Sequence, residues 1–108
     1  MAGSKRSHRN GKRRLGAFRN VLRRHLPEIR KRYRVRSLGI FGSYVSGPPR
    51  KGSDLDVLVE FLEEPSLFEF MELEAFLSEV IGVKVDLVMR SALKPRIGRQ
   101  ILSEVVSL

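Results

Sequence analysis

The chain has 108 residues, 21 Lys/Arg against 12 Asp/Glu, 42% hydrophobic residues and no cysteine. That length holds one small domain with one core, and the missing cysteine excludes disulfide frameworks, thiol nucleophiles and thiolate zinc sites. No apolar run approaches the ~18 residues of a membrane helix, and the basic start has no apolar segment behind it to form a secretory signal, so a cytoplasmic location is expected.

Charge is divided unevenly along the chain. Residues 1–36 hold fourteen Lys/Arg and a single acid, Glu28, whereas residues 37–108 hold seven basic and eleven acidic residues. A basic front on an acidic body reads either as a nucleic-acid-binding arm or as a solvated helix face behind a disordered tail. After the initial Met, residues 1–14 are Gly, Ser, Asn, His, Lys and Arg with Ala2 the one aliphatic side chain, so a disordered basic tail is expected there, followed by one domain over 15–108.

From Leu15 the pattern changes. Leu15, Phe18, Leu22, Leu26 and Ile29 recur at three- and four-residue steps, the apolar stripe of a helix ending near Tyr33. Pro27 either kinks this helix or opens a second one with Glu28 in its first turn. Residues 37–41 are apolar and stop at Gly42-Ser43, which reads as a buried strand. A short helix over 43–46 and a Gly/Pro loop over 47–53 come next. Residues 54–61 form a second strand. Ser66 with Glu69 makes a capping box for a helix running to about Ile81, with Gly82 as its stop. A third strand occupies 83–88, and Pro95 opens a last helix. The order helix, strand, strand, helix, strand, helix points to an α+β fold, an α/β sandwich whose small mixed sheet is flanked by helices.

Three acids lie on these strands. Asp54 and Asp56 are two apart, so on a strand both project to one side while Leu55 turns inward. Asp86 interrupts the third strand, where an unpaired charge among β-branched residues is costly to bury. Carboxylates converging on one sheet face repel one another, and a hard divalent cation removes that cost; Mg²⁺ binds one or two carboxylates together with substrate phosphates. Beside them, Gly42 allows close backbone approach to a ligand and Ser43 offers a hydroxyl. Arg50 and Lys51 are candidate contacts for a leaving pyrophosphate. Arg90, Lys94 and Arg96 either line the nucleotide or acceptor side or are solvated residues around a helix start. Taken singly, each piece has a plainer reading: turn chemistry for the Asp pair, an edge-strand charge for Asp86, an ordinary turn for Gly-Ser. Their joint spacing is far more specific.

Gly42-Ser43, ten residues, then Asp54-Leu55-Asp56 resembles the GSx10DxD signature of the DNA polymerase β-like nucleotidyltransferase superfamily. The stretches 38–47, 53–61, 67–73, 83–88 and 92–97 are similar to its minimal members, the MntA-type antitoxins, and the resemblance spans roughly 21–108. It implies that Asp54, Asp56 and Asp86 ligate Mg²⁺, two ions in all, with Asp86 also orienting or deprotonating the attacking hydroxyl. Gly42 and Ser43 would hold ATP phosphates during in-line attack on the α-phosphate. The implied partner is a HEPN-domain toxin, neutralised by AMP transfer onto a tyrosine. Two other classes compete: an antitoxin that neutralises by binding alone, and a nucleic-acid-binding module led by the basic front. Leu67, Phe68, Phe70, Met71 and Phe76 exceed one core-facing stripe; core packing is the first expectation for them and a partner surface the second.

Overall fold

In the computed structural model, which describes residues 3–47 and 54–108, the chain opens with helix α1 (Gly3–Tyr33). The helix therefore starts well inside the stretch whose composition reads as a tail. Extending an existing helix needs no new nucleus, and Lys and Arg are good helix formers. Pro27 does not divide α1. Both Pro27 and Arg23 are exposed, so the carbonyl that loses its i→i+4 partner at the proline opens to water.

Strand β1 (Val35–Phe41) leads through the short helix α2 (Ser43–Ser46) to β2 (Leu55–Phe61). Helix α3 (Leu67–Ile81) crosses over to β3 (Val85–Met89), a 3₁₀ turn (Arg90–Ala92) precedes α4 (Pro95–Glu104), and β4 (Val106–Ser107) ends the chain. The capping box at Ser66 forms, with Glu69 N–H donating to Ser66 Oγ at 3.1 Å and Ser66 N–H to Glu69 Oε1 at 3.3 Å. Gly82 closes α3 at φ 86°, the left-handed conformation glycine adopts without strain.

The sheet order is β3-β2-β1-β4. β1 runs antiparallel to β2 and to β4, and β2 runs parallel to β3, so the sheet is mixed as expected. Where sequence patterning gives three strands, the described residues form a sheet of four. The fourth is two residues long, too short for any periodicity to reveal it, and Leu108 N–H extends it by donating to Leu38 C=O at 3.1 Å.

Alternation along the strands divides the sheet into two faces. Leu55, Val57 and Val59 of β2, Leu38 and Ile40 of β1, and Val85 and Leu87 of β3 all enter the core, against Leu22 and Ile29 of α1 and Leu73 and Leu77 of α3. The opposite face carries Asp56, Leu58 and Glu60, opposite Phe41, Gly39 and Ser37 of β1. Val105 reaches onto that face over Gly39, close enough that a Cβ there would meet its Cγ2 at 2.5 Å. On α3, Phe70 and Phe76 pack against the core, but Leu67, Phe68 and Met71 are 75%, 76% and 59% exposed. The expectation of core packing is thus corrected for these three: one helix presents only one stripe to the sheet, and Leu73 and Leu77 occupy it.

Candidate active site

The strand directions bring the site together. β1 ends at Phe41 and β2 begins at Leu55 in an antiparallel pair, with Phe41 opposite Asp56. Gly42-Ser43 and the Asp pair therefore share one end of the sheet, and the ten intervening residues make the connection. β3 runs parallel to β2, so it starts at the same end, with Asp86 directly opposite Asp56. Neighbouring strands lie ~4.8 Å apart and paired residues point to the same face, so these two carboxylates are side by side on the face away from the core.

Gly42 has φ 81° and ψ −154°, a backbone conformation open to glycine and strained for any other residue. A Cβ at Gly42 would also overlap the Asp56 Oδ2 atom. The glycine thus forms the turn and makes room for the acid. Its carbonyl accepts from the N–H groups of Val45 and Ser46 at 3.0 Å each and from the Ser46 hydroxyl at 3.1 Å, which ties α2 tightly to the end of β1. Ser43 is half-buried beside it.

Tyr44 holds this turn in place, a role its lone position in a Gly-Ser turn did not signal. It is buried, meets Phe18 of α1 edge-on at 5.4 Å, and lies with Phe18 under the Arg14 guanidinium, 5.6 Å from each ring. Such aromatic and cation–π pairs add to ordinary burial.

Asp56 is half-buried on this face. Burial raises its carboxyl above the ordinary value, and the neighbouring carboxylates of Asp86 and then Asp54 push it further the same way. Asp54, just before β2, is half-exposed and stands 3.9 Å from Lys84 Nζ, a long and solvated pair that contributes little. Asp86 is exposed, so the expected burial cost is not incurred: its side chain faces solvent while Val85 and Leu87 enter the core.

Among the described residues, no three His, Cys, Asp or Glu side chains form a group able to hold a metal ion by themselves. Asp56 and Asp86 nevertheless suit a hard divalent cation. They are paired oxygen donors whose mutual repulsion a cation would relieve, and an ion of this kind takes its remaining ligands from water and substrate phosphates. Arg50 and Lys51 lie outside the described residues. Arg90 is at the far end of β3, where its guanidinium meets Glu60 at 3.4 Å, and is not brought to the acids. Lys94 and Arg96 follow it, around the start of α4.

A family model described as the nucleotidyltransferase domain matches residues 22–108. The chain belongs to that family. The match takes in every strand and both ends of the Gly-Ser to Asp-x-Asp spacing, and leaves out the first 21 residues. The protein adenylyltransferase MntA of Thermococcus cleftensis is 49% identical over 87 residues, which is 81% of this chain and 88% of the relative. A solved minimal nucleotidyltransferase superposes with a TM-score of 0.69 at 33% identity, covering 87% of this chain and 91% of that one. A chain from the solved complex of tri-AMPylated Shewanella oneidensis HEPN toxin with MNT antitoxin shares the fold at TM-score 0.55 and 18% identity, covering 93% and 70%. Like its family, this nucleotidyltransferase is an enzyme whose acids and Gly-Ser turn stand at one end of a mixed sheet.

Proposed function

We propose that this nucleotidyltransferase moves AMP from ATP, in a Mg²⁺-dependent reaction, to a tyrosine hydroxyl of a HEPN-domain toxin, and so acts as the antitoxin of a toxin–antitoxin pair. The observation that carries the reading is the pairing of Asp56 with Asp86 across parallel strands, with Gly42 packed on the Asp56 carboxylate. The relative named as a protein adenylyltransferase supports the transferred group, and the fold shared with the AMPylated HEPN toxin complex supports the acceptor.

Asp54, Asp56 and Asp86 hold the metal in this reading, and bound Mg²⁺ supplies charge neutralisation for the phosphates. Ser43 and the backbone at Gly42 receive the β- and γ-phosphates. Asp86, exposed beside Asp56, orients the acceptor hydroxyl and takes its proton as the oxygen attacks the α-phosphorus in line. One P–O bond forms to the acceptor, the bond to the bridging oxygen breaks, and pyrophosphate leaves. Arg50 and Lys51 contact that leaving group.

The test is incubation with ATP, Mg²⁺ and the candidate HEPN partner, read by intact mass. A gain of one or more adenylyl groups on the partner is expected, lost with chelator and lost in the Asp54→Asn, Asp56→Asn double variant. Transfer at the wild-type rate by that variant overturns the reading. A second reading, neutralisation by binding alone, draws on the exposed Leu62, Leu67, Phe68 and Met71; under it the double variant still neutralises the toxin stoichiometrically.

A further inference from the structure

Asp86 stands on an edge strand. β3 is the outermost strand, so one side of its backbone has no strand partner, and such edges fray and slip more readily than inner strands. Successive residues of a parallel strand turn their backbone groups to opposite sides. Lys84 C=O accepts from Leu55 N–H at 2.9 Å on the β2 side. Asp86 faces β2 in the same way, which leaves Val85 and Leu87 turned outward.

Both outward N–H groups are taken by α3. Val85 N–H donates to Ser78 Oγ at 3.0 Å, and Leu87 N–H donates to Glu74 Oε2 at 2.9 Å. Ser78 and Glu74 are one helical turn apart, and the Ser78 hydroxyl donates to the Glu74 carbonyl at 2.9 Å. All three bonds are partly buried, where a hydrogen bond to a carboxylate is stronger than at an open surface. A half-buried acid on the inner side of a helix is an unusual choice for packing alone. Here the Glu74 carboxylate and the Ser78 hydroxyl together do what a neighbouring strand would do, one at each of the two residues that flank Asp86.

We propose that Glu74 and Ser78 are positioning residues for Asp86, clamping the β3 backbone on either side of it and so setting where its carboxylate stands against Asp56. The proposal rests on the reading of these acids as the cation and transfer site. A displacement of about 1 Å at a reacting group costs on the order of 100-fold in rate, so a clamp on an edge strand is worth that much to the reaction without touching substrate.

The test compares Glu74→Leu, Glu74→Gln, Ser78→Ala and Asp86→Asn with the wild type in three measurements: amide exchange at Val85 and Leu87, Mn²⁺ binding to the chain by electron paramagnetic resonance, and AMP transfer resolved into kcat and the KM for ATP. Glu74→Leu is expected to speed exchange at Leu87, to lower Mn²⁺ affinity toward that of Asp86→Asn, and to lower kcat by roughly 10- to 100-fold with the KM for ATP nearly unchanged. Glu74→Gln, whose amide oxygen accepts the same N–H, restores most of both. Leu77→Ala, a nearby core truncation, lowers the melting temperature without moving Mn²⁺ affinity. A folded Glu74→Leu protein with wild-type Mn²⁺ affinity and kcat overturns the clamp, while loss of both in Asp86→Asn leaves the site reading standing. If Asp86→Asn itself keeps both, the site reading falls and the clamp with it. Should Glu74→Leu fail to fold, Ser78→Ala decides on the same measurements.

Discussion

Gly42 has two separate reasons to be glycine, its positive φ and the Asp56 carboxylate lying where a Cβ would go. Gly42→Ala therefore strains the turn and displaces the acid together. Denaturant titration should show a loss of about 1–3 kcal/mol, and AMP transfer should fall by more than that loss explains, because the folded fraction carries a misplaced carboxylate. Asp56 gives a pH signature. Its carboxyl is raised from 3.8 by burial and by Asp86 and Asp54, so between that value and the raised one the native state binds more proton than the unfolded chain. Stability of the metal-free protein then falls as pH rises through that window. Asp56→Asn removes the effect: in chelator it should melt above the wild type at neutral pH and level with it below the ordinary carboxyl value, by scanning calorimetry. Under the proposed function, saturating Mg²⁺ and ATP should reverse the order, since Asp56→Asn would no longer bind them as the wild type does. The Gly-Ser and Asp-x-Asp residues are legible in sequence because their spacing is itself the signal. Tyr44 is not, since an aromatic residue in a turn shows nothing of Phe18 and Arg14 until α1 packs over it.

Among the elements, α3 was the most legible. Its capping box and glycine stop are local signals that form as expected, while only part of its apolar set, Leu73 and Leu77 with Phe70 and Phe76 beside them, enters the core. Ser66→Ala should cost about 1 kcal/mol of stability and leave Mn²⁺ affinity unmoved, which urea titration and metal binding together check. Strand β4 is the counter-case. Two residues pair with β1 at Gly39 and Ile40 because the chain returns there after α4, and nothing local encodes that return. Gly39 shows the consequence: a methyl group would press on Val105 and stand 3.3 Å from the Val106 carbonyl. Gly39→Ala should loosen β4, losing about 1–3 kcal/mol and exposing the Leu108 amide to exchange. The basic front likewise reads differently once folded. Arg14 covers two rings, Arg32 lies 5.2 Å over the Tyr33 ring and 3.4 Å from Glu72, and Arg34 pairs with Glu63 at 2.6 Å. Part of a charge run that resembles a free arm is thus engaged with the domain itself.

At the scale of the whole molecule, the sheet has an acid-bearing face and a core face, and α3 keeps an apolar strip outside both. Phe68 is 76% exposed beside Leu67 and Met71. Phe68→Asp should leave the melting temperature within about 2 °C of the wild type, yet weaken binding to the proposed HEPN partner by about tenfold or more if this strip carries the contact. Pull-down and calorimetric titration against the same partner measure it.

Sequence alone determined most of the elements and the family motif: apolar periodicity places the helices and three strands, and the Gly-Ser to Asp-x-Asp spacing singles out Asp54 and Asp56. Those signals are local, each readable within a dozen residues or so. Tertiary structure decided what depends on strand direction and register: that Asp86 stands beside Asp56 and not at the far end of β3, that Arg90 does not join them, that the chain ends in a fourth strand, and that Glu74 and Ser78 complete the edge beside Asp86. Such relations arise between segments tens of residues apart, and only the packed sheet sets them.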